Sequence, residues 1–168
     1  MTIIDLIKNT KKFDKAKDRF SKMSSVHVNI KKVTPMVGTK TILFSADTWA
    51  TKNHYKTYLF VKGIDYVDKP DIEHPNSAKL GSDKYYFEQV RVKDHKIQVR
   101  CDCRDFHWTF SYYLWKKKSL YQIKKGAEAY RTKGLWERNP KHIPGVCKHV
   151  LALIDRLARQ GAITKISI

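Results

Sequence analysis

Cys101, Cys103 and Cys147 are the only cysteines in the chain, and His149 follows the last of them at the same one-residue spacing that separates the first two. Thiolate sulfur and imidazole nitrogen are the usual donors to structural zinc, which takes four of them in a tetrahedron. A Cys3His set fills all four positions and leaves none for water, so the ion it implies is structural and not catalytic. A disulfide accounts for the pattern less well. Bridging two cysteines one residue apart meets narrow geometric limits, and an odd count would leave one thiol over. His107 and His142 lie between the two pairs and compete for the fourth position, which spacing assigns to His149. Against all this stands a plainer alternative, three buried thiols and a core histidine, since free cysteine often acts as a small hydrophobe. Structural zinc supplies roughly 10–16 kcal/mol of binding free energy, whereas a whole domain is stable by about 5–15 kcal/mol. Loss of the ion should therefore unfold at least this half of the chain.

The two pairs need elements that bring them together. Two alternating runs, KYYFEQVRV (84–92) and IQVRCDC (97–103), flank the polar Lys93-Asp94-His95-Lys96 and predict a β-hairpin. Side chains alternate along a strand, so Cys101 and Cys103 would face the same side. Residues 147–160 predict a helix, with Val150, Ile154 and Leu157 on one face, Pro144-Gly145 before it and Gly161 after it. Cys147 and His149 then open its first turn. The tail 162–168 can close the domain as a short strand.

Cys101-Asp102-Cys103 at a strand end and Cys147-Lys148-His149 at a helix start, with Phe106 and Gly145 beside them, resemble the SWIM zinc finger. The resemblance covers roughly residues 85–160. It departs from the family in its long interval, residues 104–146. It implies a DNA-binding or protein-interaction role. It also takes in proteins of large tailed phages, which implies a second role as a structural or assembly component of a virus particle whose fold zinc stabilises.

The interval is dense in rings, from Phe106, Trp108, Phe110, Tyr112, Tyr113 and Trp115 to Trp136. It is equally dense in cations. Basic groups interleaved with aromatic faces suit a nucleic acid, cations meeting phosphates and rings meeting bases. Lys116, Lys117, Lys118, Lys124, Lys125, Arg131 and Lys133 are the candidate contacts. Phe106, Trp108, Phe110 and Tyr112 alternate, which predicts a buried strand face with Phe106, Trp108 and Phe110 in the core.

Residues 2–23 predict an amphipathic basic helix, with Ile4, Ile7, Phe13, Ala16, Phe20 and Met23 on its apolar stripe. VHVNIKKV, TKTILFSADTW and YKTYLFV read as strands, and residues 68–81, with Pro70, Pro75 and Gly81, as a long loop. The predicted class is α+β. An antiparallel β-sheet carries an N-terminal amphipathic helix and a C-terminal helix, with zinc stapling the hairpin to the latter. Residues 1–84 extend the sheet of a zinc domain at 85–168.

The whole chain of 168 residues has 34 Lys and Arg against 16 Asp and Glu, a formal charge of +18. An acidic partner relieves the self-repulsion this entails. That partner would be nucleic acid, DNA before RNA, or an acidic protein surface such as a virion component. With 42% apolar and 12% aromatic residues, a sizeable core is expected. No apolar run approaches the roughly 20 residues that span a bilayer, and lysines interrupt residues 1–23 where a signal peptide needs an apolar centre. The chain reads as unexported, in cytoplasm, host cell or virion, with no membrane partner. Asp47, Asp65 and Glu88 are scattered acids without the clustering of a magnesium site. Cys147 beside His149 could be an activated thiolate, but zinc ligation also explains Cys101 and Cys103. The expectation is a non-enzymatic module.

Overall fold

The computed structural model describes residues 1–13, 16–121 and 139–166. Its frame is an antiparallel sheet built from β1 (His27–Met36), β2 (Thr41–Trp49), β3 (His54–Lys62) and β7 (Ile97–Cys101), in the order β1-β2-β3-β7. Alternation decides its faces. Ile42, Phe44 and Ala46 of β2, Leu59 and Val61 of β3, and Ile97, Val99 and Cys101 of β7 are buried on one side. A helix, α5 (Lys148–Arg159, Val150, Leu151, Leu153, Ile154 and Leu157 buried), lies across that side against all four strands. The N-terminal α1 (Ile3–Lys11) adds Ile3, Leu6 and Ile7 to the same core. The α+β class, with an antiparallel sheet and a helix at each end of the chain, is the one the residue pattern predicts.

Four local expectations are corrected. The helix expected over 2–23 is two helices, α1 and α2 (Ala16–Ser21). A capping box between Thr2 and Asp5 starts α1, and the Lys12 N–H turns back to Asn9 and Thr10 at its end. Its buried face is Ile3, Leu6, Ile7 and Thr10, so the stripe begins one residue before Ile4. Phe13 then packs edge-on against Phe110, with ring centroids 4.9 Å apart.

Second, the 68–81 segment is not all loop. It contains β5 (Asn76–Leu80), which pairs with β6 (Asp83–Phe87). Gly81, at φ +63°, supplies the tight connection between them. With β4 (Tyr66–Val67) these strands form a second sheet, β4-β6-β5, joined to the core through Phe44 and Phe87.

Third, the runs 84–92 and 97–103 do not form a hairpin. β6 pairs with β4 and β5, whereas β7 pairs with β3 from Thr57↔Cys101 to Val61↔Ile97. The polar turn between them carries the chain from one sheet to the other. Alternation tells which face of a strand is buried but not which strand it joins. Val90, inside the first run, instead bridges in parallel to Ile163 of the C-terminal tail.

Fourth, the aromatic run after Cys103 is helical. It forms α3 (Arg104–Thr109) and α4 (Ser111–Lys116). Phe106, Phe110 and Leu114, four residues apart, form the buried face, and Trp108 is only half-buried. Among the described residues, no helix is long and apolar enough to cross a membrane.

Candidate metal centre

The side chains of Cys101, Cys103, Cys147 and His149 meet at the end of β7, with one ligand atom from each within 4.8 Å of all the others. Every one of them is buried, and the three cysteines are free. A zinc tetrahedron with Zn–S near 2.3 Å and Zn–N near 2.0–2.1 Å has edges of about 3.5–3.8 Å. The cluster is compact enough to close around such an ion. The fourth member is His149, with neither His107 nor His142 in the group.

Each member of the cluster is placed by a different device. Cys101 is the last inward residue of β7, in register with Thr57 of β3. The Thr57 hydroxyl donates to Cys101 Sγ at 3.6 Å and also lies 2.8 Å from the Thr48 hydroxyl. Asp102 is exposed, and its backbone N–H is held by the Lys56 carbonyl at 3.1 Å. Cys103 is the N-cap of α3, and its sulfur accepts the Phe106 N–H at 3.3 Å. Cys147 is the N-cap of α5. The positive end of that helix favours a thiolate there. His149 follows in the first turn, its ring 4.8 Å from that of Tyr55.

The segment that delivers Cys147 is pinned between α1 and α3. Asn139 Nδ2 donates to the carbonyls of Thr109 and Ile143 at 2.9 and 2.8 Å, and its Oδ1 accepts the Ile143 N–H at 3.0 Å. Thr10 Oγ1 accepts the Val146 N–H at 3.0 Å. Gly145 passes so close that an added Cβ would stand 2.9 Å from the Phe110 ring and 3.1 Å from both Phe13 and Thr10 Oγ1. Asn139 and Thr10 were not legible as site residues, since neither is a ligand and each acts on a distant stretch of chain.

Burial and hydrogen bonds among the three thiols pull their pKa values apart. Burial opposes ionisation of Cys101, but hydrogen bonds from the Cys103 and Cys147 thiols outweigh it and draw its pKa well below the ordinary thiol range. Cys103 is raised, chiefly because its proton is held against Cys101. Cys147 is raised well above the ordinary value, by burial first and then by its bonds to the other two cysteines. A bound dication reverses this logic and lets every thiol ionise. His149 Nδ1 is buried without a hydrogen-bond partner. Leaving such an atom unsatisfied is unfavourable, and coordination to an ion would satisfy it. The donor set fits a metal ion.

Arg19 of α2 closes one side of the site. Its guanidinium makes two hydrogen bonds to Asp105, at 3.2 and 2.9 Å, and lies over the rings of Phe13 and Phe110 at 5.4 and 5.1 Å. A cleft of about 300 Å³ separates α2 from the cluster, lined in part by Lys22, Tyr55, Arg104 and Lys148.

Of the residues proposed to contact nucleic acid, Lys116, Lys117 and Lys118 are exposed at the end of α4, with Lys116 Nζ 5.4 Å from the Tyr112 ring centroid. Lys124, Lys125, Arg131 and Lys133 lie outside the described residues. Comparisons with protein-family models, curated proteins and solved structures find no match.

Proposed function

We propose that Cys101, Cys103, Cys147 and His149 hold one structural zinc ion and that the chain is a non-enzymatic module binding nucleic acid through its basic surface. The observation that carries the metal assignment is a buried Cys3His cluster whose four ligand atoms lie within 4.8 Å of one another. A thiolate-rich set with one imidazole selects zinc over the hard cations, which prefer oxygen. Four protein donors leave no coordination position for substrate or water. The site is a staple: it joins β7, α3 and the start of α5, which local sequence alone would not keep together. Cys-x-Cys leaving a strand and Cys-x-His entering a helix support a SWIM-like finger. The partner assignment rests on the charge of +18, which phosphates would offset with release of counterions.

Native mass spectrometry should find one zinc per chain, absent from Cys101→Ser and Cys147→Ser variants. A strong chelator should lower the thermal midpoint; an unchanged midpoint in chelator would refute the staple. Nucleic-acid affinity should fall steeply and log-linearly with salt, and negligible binding at low salt would refute the partner.

A further inference from the structure

The face of the four-stranded sheet turned away from α5 is built unlike an ordinary solvated surface. Its outward residues come from the same alternation that buries Leu59 and Val61 on the other side. On β3 they are Lys56, Tyr58, Phe60 and Lys62. Leu43 and Ser45 flank Phe60 and Tyr58 from β2, and Gln98 and Arg100 flank them from β7. Tyr58 and Phe60 are half-buried, although solvated strand faces are normally polar.

Residues 119–121 then run alongside β7. The Val99 N–H donates to the Ser119 carbonyl at 2.9 Å, and the Tyr121 N–H donates to the Val99 carbonyl at 3.0 Å. This sends Leu120 inward and Tyr121 onto the outer face. There the Tyr121 ring stacks on Phe60, with centroids 5.6 Å apart and planes 21° from parallel, and lies 5.7 Å from Tyr58. Three rings from two distant parts of the chain thus make one aromatic platform. Beside it, Lys62, Gln98, Trp115, Lys118, Leu120 and Tyr121 line a groove of about 450 Å³. Among the described residues, Trp115 is one of the few large apolar side chains left exposed, at 44%.

The cations are distributed to match. Lys62 Nζ stands over the edge of the platform, 6.0 Å from the Phe60 ring centroid. Lys118 lines the groove, Arg100 neighbours Tyr58, and Lys32 lies across β2 opposite Ser45. Among the described residues, no ion pair engages Lys32, Lys62 or Lys118. The carboxylates on this face, Asp47 and Asp102, sit beyond Tyr58 at the other end, where Asp47 meets Lys31 at 3.8 Å and Asp102 meets Arg100 at 3.4 Å. Platform and groove are therefore aromatic at the centre and positive at the rim.

We infer that the Tyr58–Phe60–Tyr121 platform and the adjoining Trp115 groove bind single-stranded nucleic acid, with bases stacked on the rings and phosphates on Lys62, Lys118 and Lys32. This rests on the nucleic-acid reading above and specifies the strand state and the contact surface. Ring faces stack on base faces, which a duplex hides within its own stack and a single strand exposes. An acidic protein would satisfy the cations but would leave the rings without a flat partner. The backbones of Tyr58 and Phe60, two residues apart on one face, are about 6.5–7 Å apart along the strand.

The test uses the full zinc-loaded chain, fluorescence anisotropy at low salt, and three probes: a short oligodeoxythymidine, an abasic strand of equal length and charge, and a duplex of equal length. The intact single strand should bind at least tenfold more tightly than the abasic strand. Phe60→Leu and Tyr58→Leu keep apolar area but remove the ring, and each should weaken binding about 5- to 150-fold, the loss carried by one base–aromatic stack. Phe60→Tyr should retain the affinity. Zinc content and circular dichroism of each variant report whether it has folded. Photo-cross-linking of a bromodeoxyuridine strand to the unmodified chain needs no variant, and should label Tyr58, Phe60, Trp115 or Tyr121. Equal affinity for intact and abasic strands, preference for the duplex, or cross-links confined to other segments would overturn this inference while leaving the broader nucleic-acid reading standing. Failure to bind any probe would overturn both.

Discussion

Gly145→Ala tests how Cys147 is positioned. Gly145 has no positive φ, so alanine meets no backbone penalty there. The obstacle is space. The new methyl would stand 2.9 Å from Phe110 Cε1, 3.1 Å from Phe13 Cε2 and 3.1 Å from Thr10 Oγ1. None of these neighbours moves aside easily. Phe110 is fully buried, edge-on to Phe13 and under the Arg19 guanidinium, and Thr10 Oγ1 is tied to the Leu6 carbonyl at 2.8 Å and the Val146 N–H at 3.0 Å. Overpacking of this kind costs about 1–3 kcal/mol. Restricting the unfolded chain offsets about 0.4–1 kcal/mol of that. The expected net loss lies between about 0 and 2.6 kcal/mol, read by urea denaturation of the zinc-loaded protein. Because the displaced backbone leads directly into Cys147, zinc affinity measured against a chromophoric chelator should fall as well. A double-mutant cycle with Phe110→Leu isolates the clash: the alanine should cost less once the ring is gone. An unchanged cost of the alanine in the Phe110→Leu background would refute the close-packing argument.

Two further perturbations probe the surroundings. Thr57→Val keeps shape but removes the hydroxyl that donates to Cys101 Sγ; zinc affinity should drop about 10- to 100-fold, as for other groups that orient metal ligands, and an unchanged competition curve would dismiss that role. Asp5 has its pKa lowered, first by the hydrogen bond from the Thr2 backbone. Its contribution is therefore present above the unfolded carboxyl value of about 3.9 and is lost as pH falls through the lower folded one. Acid unfolding curves of Asp5→Asn should lose this part of the pH dependence, and Thr2→Ala should cost about 1 kcal/mol at neutral pH; curves parallel to those of the parent would speak against the capping box.

What could be read from the chain alone was whatever is encoded within a few residues. Cys-x-Cys on an alternating run and Cys-x-His before an amphipathic helix pick out a candidate ligand set because strand parity and helix start are local properties. The burial of Phe106 and Phe110 was legible too. Their secondary structure was not, since Phe106, Trp108, Phe110 and Tyr112 fit a two-residue period while Phe106, Phe110 and Leu114 fit a helical one. The chain cannot rank these until it is known what each side chain packs against. The same limit hid the partner of β7: alternation in IQVRC fixes an inward face, but β3 and β6 offer similar alternating edges. Only tertiary structure decided that β7 joins β3, that Gly145 must be small because two phenylalanines stand beside it, and that Tyr121 closes a platform with Tyr58 and Phe60. Each depends on residues far apart along the chain, and no local pattern records such contacts.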